Sequence, residues 1–269
     1  MSKTIKLALM LTALTVSSVA QTPIIPIVDL RTGGLFGGVL NGKWISAAKT
    51  ASQIKPKTEF ALAGWNGVEE GGVSLADFNG ETEVCGDHWS FSFELEMHNG
   101  VGIGTAAKWD PVPRKAVKIP ISNAVYRKVV ADFLKSKGFK DPTVEIKQIY
   151  KIDLDGNGTD EVLISATRYR SGMYESQQPG DYSFTLLRTA SGKTAVNHLL
   201  EGEFYPGRIT KELWPPNVYE FTGVADLNGD GIMEILVGSQ YYEGGTNGAF
   251  EIKAGKPVKI KEFEIGCGL

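Results

Sequence analysis

Two short segments of this chain place oxygen-bearing side chains at a spacing that can wrap a hard cation. Asp153-Leu154-Asp155-Gly156-Asn157-Gly158-Thr159-Asp160-Glu161 recurs 73 residues later as Asp226-Leu227-Asn228-Gly229-Asp230-Gly231-Ile232-Met233-Glu234. In each copy such side chains fall at loop positions one, three, five and nine, and position six is Gly. Alternate side chains at that spacing can converge with a backbone carbonyl on one ion, while Gly permits the sharp turn the wrap requires. Each loop offers three carboxylates and one amide: Asp153, Asp155, Glu161 and Asn157 in the first, Asp226, Asp230, Glu234 and Asn228 in the second. Three clustered carboxylates repel one another unless a cation neutralises them. Ca²⁺ at two sites is therefore the expected chemistry. Asp-Gly and Asn-Gly steps also make ordinary solvated hairpin turns. Two ungapped copies in one register favour the ion.

The loops are not EF-hands. Those carry a bidentate Glu at position twelve and run into a helix, whereas position twelve here is Ile164 in one copy and Val237 in the other. The residues that follow, Val162–Ala166 and Ile235–Ser239, are short apolar runs rich in β-branched side chains and read as buried strands. Glu145–Ile152 and Val218–Phe221 upstream read the same way. The unit is strand, acidic loop, strand. A tandem D-x-[DN]-G-[DN]-G-x-x-E pattern entered and left by strands resembles the FG-GAP/VCBS-type repeats of integrin-α-like proteins. The resemblance covers roughly the last 120 residues. It implies calcium-binding β-hairpins within propeller blades. It also implies that the carbonyls of Thr159 and Ile232 join the ligand sets, completing Asp153, Asp155, Asn157, Thr159, Glu161 and Asp226, Asn228, Asp230, Ile232, Glu234.

The elements that position these loops are expected to be mainly β. After each loop two further strands follow: Tyr182–Leu187 and Val196–Leu200, then Ala249–Ile252 and Val258–Ile265. Four strands per repeat is blade architecture, but a closed propeller needs about four to eight blades. Two propeller-blade-like repeats, at about 143–214 and 215–269, are thus expected in an incomplete or two-sheet assembly. One amphipathic helix precedes them over Asn123–Lys137, with Val125, Val129, Phe133 and Leu134 on one face, Ser122 as cap and Gly138 as stop. Asp110-Pro111-Val112-Pro113 and Ile119-Pro120 mark a boundary near 116/117. Ahead of it lies a β-rich region, 43–116, with strands at Thr58–Ala63 and His88–Leu95. The Pro- and Gly-rich stretch 21–42 reads as an extended leader. Gly100–Thr105 reads as a flexible turn, and Ser74–Gly80 as a faint, incomplete echo of the acidic loop.

Residues 1–20 have the layout of a signal peptide: Lys3 and Lys6, an apolar stretch from Leu7 to Val19, and Ser18-Val19-Ala20 before Gln21. No Cys follows to suggest a lipoprotein, and the apolar core is too short to span a bilayer. The expected location is secreted or periplasmic. Cleavage would leave 26 basic and 31 acidic residues, a balance that gives no footprint for nucleic acid or an anionic membrane. Cys85 and Cys267 are the two cysteines. In an oxidising compartment they could pair, which the chain-entropy model values at about 5 kcal/mol; two separate thiols is the other reading.

Just past each loop, Arg168-Tyr169 aligns with Tyr241-Tyr242. Such rings could present a surface to an extracellular glycan or protein ligand, or could simply edge the core. His88, His98 and His198 show no ligand or triad spacing. The leading expectation is an exported, calcium-binding, non-catalytic recognition or adhesion module. The alternative is a secreted polysaccharide hydrolase or lyase scaffolded by the repeats, with Glu69/Glu70 or Glu94/Glu96 as carboxylate pairs.

Overall fold

A computed structural model of the chain describes residues 23–30, 32–55, 57–65, 67–81, 88–93, 102–172, 177–191, 194–209 and 216–268, with backbone alone for 67–76, 93, 191 and 267–268. Strands dominate, and among the described residues they form three antiparallel sheets. Strands β1 (Ile25–Asp29), β2 (Leu35–Leu40), β3 (Lys43–Ser46), β4 (Thr58–Gly64), β5 (Gly67–Glu81), β6 (Trp89–Phe93) and β7 (Ile103–Thr105) make a seven-stranded sheet in the order β3-β2-β1-β7-β4-β5-β6. Strands β8 (Val117–Lys118), β9 (Ile146–Ile152), β10 (Glu161–Arg168), β11 (Asp181–Ser191) and β12 (Thr194–Tyr205) make a five-stranded sheet. Strands β13 (Val218–Ala225), β14 (Glu234–Tyr241), β15 (Gly244–Lys253) and β16 (Lys256–Gly268) make the last, four-stranded one. Helix α1 (Ala47–Ala51) is short, and α2 (Ala124–Ser136) precedes the second sheet.

Each acidic loop joins the first two strands of a meander that runs in chain order, β9 to β12 and β13 to β16. None of the sheets closes on itself. The runs after the loops are continuous in apolar character because both of their faces are covered: β10 is buried from Glu161 to Thr167, and β14 from Glu234 to Gly238. Loop position two is Leu in both copies, and Leu154 and Leu227 are 1% and 0% exposed. They root the loops in one apolar cluster that also holds Ile152, Leu163, Val224 and Ile235 and reaches Ile27 and Phe36 of the first sheet. Burying a Leu side chain contributes about 2 kcal/mol, so each loop is anchored whether or not an ion is bound.

Four expectations are corrected here. The stretch expected as a leader over 21–42 instead holds β1 and β2, buried strands inside the first sheet. Gly37 and Gly38 mark close packing rather than a loop: a Cβ on them would meet the Ile45 carbonyl oxygen at 2.5 Å and Ile24 Cγ2 at 2.5 Å. Ile103–Thr105 is likewise a strand, held between β1 and β4. Ser74–Gly80, an echo too incomplete to count as a site, runs within β5. The helix is capped by Asn123, which accepts from the Val125 and Tyr126 N–H groups, rather than by Ser122. Its buried positions are Val130 and Leu134 while Val125 is 66% exposed, because the packing stripe begins a turn later. Gly138 ends it as expected, at φ +96°.

The segment at Asp110–Pro113 is no free linker either. Val112 is buried in the shared core, the Asp226 N–H donates to the Pro111 carbonyl at 2.7 Å, and the Ala116 N–H donates to the Trp65 carbonyl. Among the described residues no helix is long and apolar enough to cross a membrane. Residues 1–20 lie outside the described residues.

Candidate metal centre

The two acidic loops have the same backbone. Gly156 and Gly158 sit at φ +73° and +85°, and Gly229 and Gly231 at +78° and +83°. This left-handed conformation suits Gly and lets successive N–H groups turn inward. The Leu154 N–H donates to Glu161 Oε2 at 3.0 Å, and the Leu227 N–H to Glu234 Oε2 at 2.8 Å. The Gly158 N–H reaches Asp153 Oδ2 at 2.9 Å, and the Gly231 N–H reaches Asp226 Oδ2 at 3.0 Å. The Thr159 N–H donates to Asn157 Oδ1 and the Ile232 N–H to Asp230 Oδ1, both at 2.8 Å. The repeat seen in the sequence is thus largely a repeat in space; it differs at Oδ1 of the first Asp, which accepts from the Asn157 N–H in one loop and from the Gly229 N–H in the other.

In the first loop one carboxylate oxygen each from Asp153, Asp155 and Glu161 lies within 4.8 Å of the others. An all-oxygen set of this density is what Ca²⁺ takes. The second loop turns its acids differently: Asn228 Nδ2 donates to Asp230 Oδ2 at 3.2 Å and to Glu234 Oε1 at 3.5 Å, standing between the two carboxylates. Asn157 Nδ2 performs a similar service for Asp155 Oδ2 at 2.8 Å in the first. The residues present fit a hard cation in both loops, with the first set already gathered.

Burial separates the loops further. Asp226 and Glu234 are 5% and 1% exposed, against a half-buried Asp153 and an 8% exposed Glu161 at the same positions of the first loop. Loss of hydration pushes the Glu234 carboxyl up to about 9, against backbone N–H bonds from Leu227 and Glu234 that pull it down, and the charges of Asp230 and Asp226 add to the rise. Burial also raises Asp226 and Glu161 above the usual carboxylate range. Without a counter-charge the second loop therefore carries a protonated Glu234 at neutral pH.

Two residues that sequence reading missed hold the loops together. Arg114 Nε donates to the Asp153 carbonyl at 2.5 Å, and Nη2 donates to the Leu154 and Gly231 carbonyls at 2.8 and 2.7 Å. One guanidinium thus clamps both loops. Trp109 Nε1 donates to the Asp226 carbonyl at 2.8 Å, and its ring lies 3.2 Å from where a Cβ on Gly229 would stand. The Met233 N–H also donates to the Leu154 carbonyl at 2.8 Å. A Trp and an Arg flanking prolines carry no periodic signal; only the tertiary contact reveals them.

The aligned pairs Arg168-Tyr169 and Tyr241-Tyr242 do not behave alike. The Arg168 side chain is 18% exposed and held near Glu145 and the buried Asp181. Tyr169 OH donates to the Asn217 carbonyl at 2.8 Å, and burial raises its hydroxyl far above the normal range. Both edge the core. Tyr242, in contrast, is 54% exposed on the turn between β14 and β15. His198 Nε2 pairs with Thr189 Oγ1 at 3.2 Å within the second sheet. Cys85, His98, Glu94 and Glu96 and the side chains of Cys267, Glu69 and Glu70 lie outside the described residues.

Residues 219–250 match the model of the FG-GAP repeat, spanning β13, the second acidic loop, β14 and most of β15. No curated protein and no solved structure matches the chain. A repeat of this type suggests a β-propeller-like interaction module. That match falls on the loop whose geometry the first loop shares, so the chain carries an FG-GAP-type repeat at residues 219–250.

Proposed function

We propose that the chain is an exported calcium-binding repeat module that recognises a partner and performs no catalysis. The duplicated loop carries the reading, because the two copies share their hydrogen bonds as well as their residue types. Asp153, Asp155, Asn157 and Glu161 with the Thr159 carbonyl would hold one Ca²⁺; Asp226, Asn228, Asp230 and Glu234 with the Ile232 carbonyl would hold the other. The ion supplies the positive charge that lets three carboxylates share one tight turn. Each loop ties the start of one strand to the end of its partner, so occupancy would pin β9 to β10 and β13 to β14. The role is structural: an ion bound only by the folded state stabilises by about 2.7 kcal/mol at a hundred times its Kd.

Calorimetric titration of the chain beginning at Gln21 tests this. Two sites are expected, with affinities in the micromolar to millimolar range of sensor and extracellular calcium modules. Asp153→Ala and Asp226→Ala should each leave one. Absence of binding heat in the parent protein would refute the reading. Export is tested separately: expression of the full chain in a secreting host should yield a mature product beginning at Gln21, and an uncleaved cytosolic product would count against it.

A further inference from the structure

At the far end of β14 from its acidic loop, a cleft of about 410 Å³ opens between the first and last sheets. Its walls include Thr32, His88, Gln240, Tyr241, Tyr242 and Asn247. We propose that this cleft binds a neutral saccharide unit. The proposal rests on reading the chain as a recognition module and gives that module its ligand class.

The fold builds the cleft from separate parts of the chain. The Phe91 N–H donates to the Gly33 carbonyl at 2.8 Å, and Gly34 bridges to Ser90, which sets His88 over the β1–β2 turn. Asp29, 2% exposed, accepts from Thr32 Oγ1 at 3.0 Å and from Asn247 Nδ2 at 2.7 Å, joining the two sheets beneath it. Asn247 is itself 6% exposed and lies on the cleft wall. A buried, oriented polar wall of this sort is fixed before any ligand arrives, and the volume is that of ordinary small-molecule sites, about 300–1,000 Å³.

The lining selects the ligand. Among its described residues there is no Asp, Glu, Lys or Arg, so none of them brings a fixed charge to a phosphate, a carboxylate or an ammonium group. Amide, imidazole, hydroxyl and phenol groups each combine donor and acceptor capacity or divide it among neighbours, as vicinal hydroxyls require. Tyr241 and Tyr242 add ring faces with polar tips, suited to the apolar C–H face of a pyranose. A peptide would need an open strand edge, but the backbone here is already paired, Gln240 with Gly245, Tyr241 with Gly244, and Thr246 with Gly266. The seven-residue step from Glu234 to Tyr241 spans roughly 23 Å at strand rise, so the acidic loop cannot touch a ligand in the cleft.

Saturation-transfer NMR on the calcium-loaded chain would test this, using glucose, galactose, mannose, N-acetylglucosamine and their β1,4-linked disaccharides, with glucuronate, inorganic phosphate and an uncharged tetrapeptide alongside. Transfer to at least one neutral saccharide is expected, with millimolar or tighter Kd. The double substitution Gln240→Ala/Tyr242→Ala should weaken it at least tenfold while leaving the melting temperature within about 2 °C, since both side chains are exposed. The same saccharide bound by an Asp153→Ala/Asp226→Ala double variant that no longer takes calcium would support the cleft and localise any failure to the loops. No saccharide bound, undiminished binding by the double variant, or equal binding of phosphate or tetrapeptide would overturn the assignment.

Discussion

The first acidic loop draws its carboxylates together and buries one of them, Glu161, whereas the second, of nearly the same sequence, is roofed by Trp109 and buries two of its acids. The loops share their glycine conformations and most of their hydrogen bonds, so the difference is ascribed to what packs on them. An exposed acidic turn can shed repulsion into water and counter-ions. A covered one must protonate or take up an ion. The second loop should therefore be the more costly to leave empty and the more sensitive to pH.

The largest contrast is expected from removing the first ligand of each loop in chelator. Asp226→Ala deletes the acceptor for the Gly229 and Gly231 N–H groups, bonds of 2.7 and 3.0 Å at a part-buried position. Urea unfolding should register a loss of about 2–4 kcal/mol, against about 1–2 kcal/mol for Asp153→Ala, whose bonds to Asn157 and Gly158 are exposed. Equal losses would mean that burial does not distinguish the loops. Arg114→Ala should cost about 2–3 kcal/mol and weaken calcium at both sites, because one side chain serves both loops. Trp109→Phe keeps the ring but loses the N–H; a loss of about 1 kcal/mol and weaker calcium at the second site alone are expected in parallel titrations.

The pH dependence follows from Glu234. Its carboxyl is raised from 4.5 when free to about 9 in the metal-free fold. Between those values the folded state binds more protons than the unfolded one, so its stability in chelator should fall as pH rises through that window. Calcium displaces the proton, so affinity at the second site should climb over the same range. Glu234→Gln should flatten the chelator curve and abolish second-site binding. An unchanged slope in that variant would place the titration elsewhere. The smallest contrast is in the turns: Gly156→Ala and Gly229→Ala should each lose about 1 kcal/mol at positive φ, with a larger further loss at Gly229, where the packed Trp109 ring stands 3.2 Å from the added Cβ, than at Gly156, where the end of the Arg114 side chain stands at 3.3 Å.

The repeats could be read ahead of the structure because their signals are local. Acidic spacing, Gly at position six and β-branched runs identify loop and strand without knowledge of what packs on them. Both meanders emerged this way, with boundaries short by a few residues where polar ends such as Glu201–Tyr205 extend the ladder. The first sheet could not be read so easily. Pro26 sits in β1 and Gly37-Gly38 in β2, residues that ordinarily punctuate loops, and only the close approach of Ile45, Ile24 and Thr50 explains the glycines. Tyr169 and Tyr242 occupy the same repeat position, yet one bonds to Asn217 and the other is 54% exposed, a choice made by neighbours distant in sequence. Trp109 and Arg114 were unreadable for the same reason.

Everything turns on whether the twin loops are cradles for an ion that holds the β frame in shape. Thermal unfolding of the chain beginning at Gln21, recorded side by side in chelator and in millimolar Ca²⁺ at neutral pH, addresses this at once. A melting temperature several degrees higher in calcium is expected, with the increment reduced but present in Asp153→Ala and Asp226→Ala. Superimposable curves for the parent protein in the two solutions would contradict it.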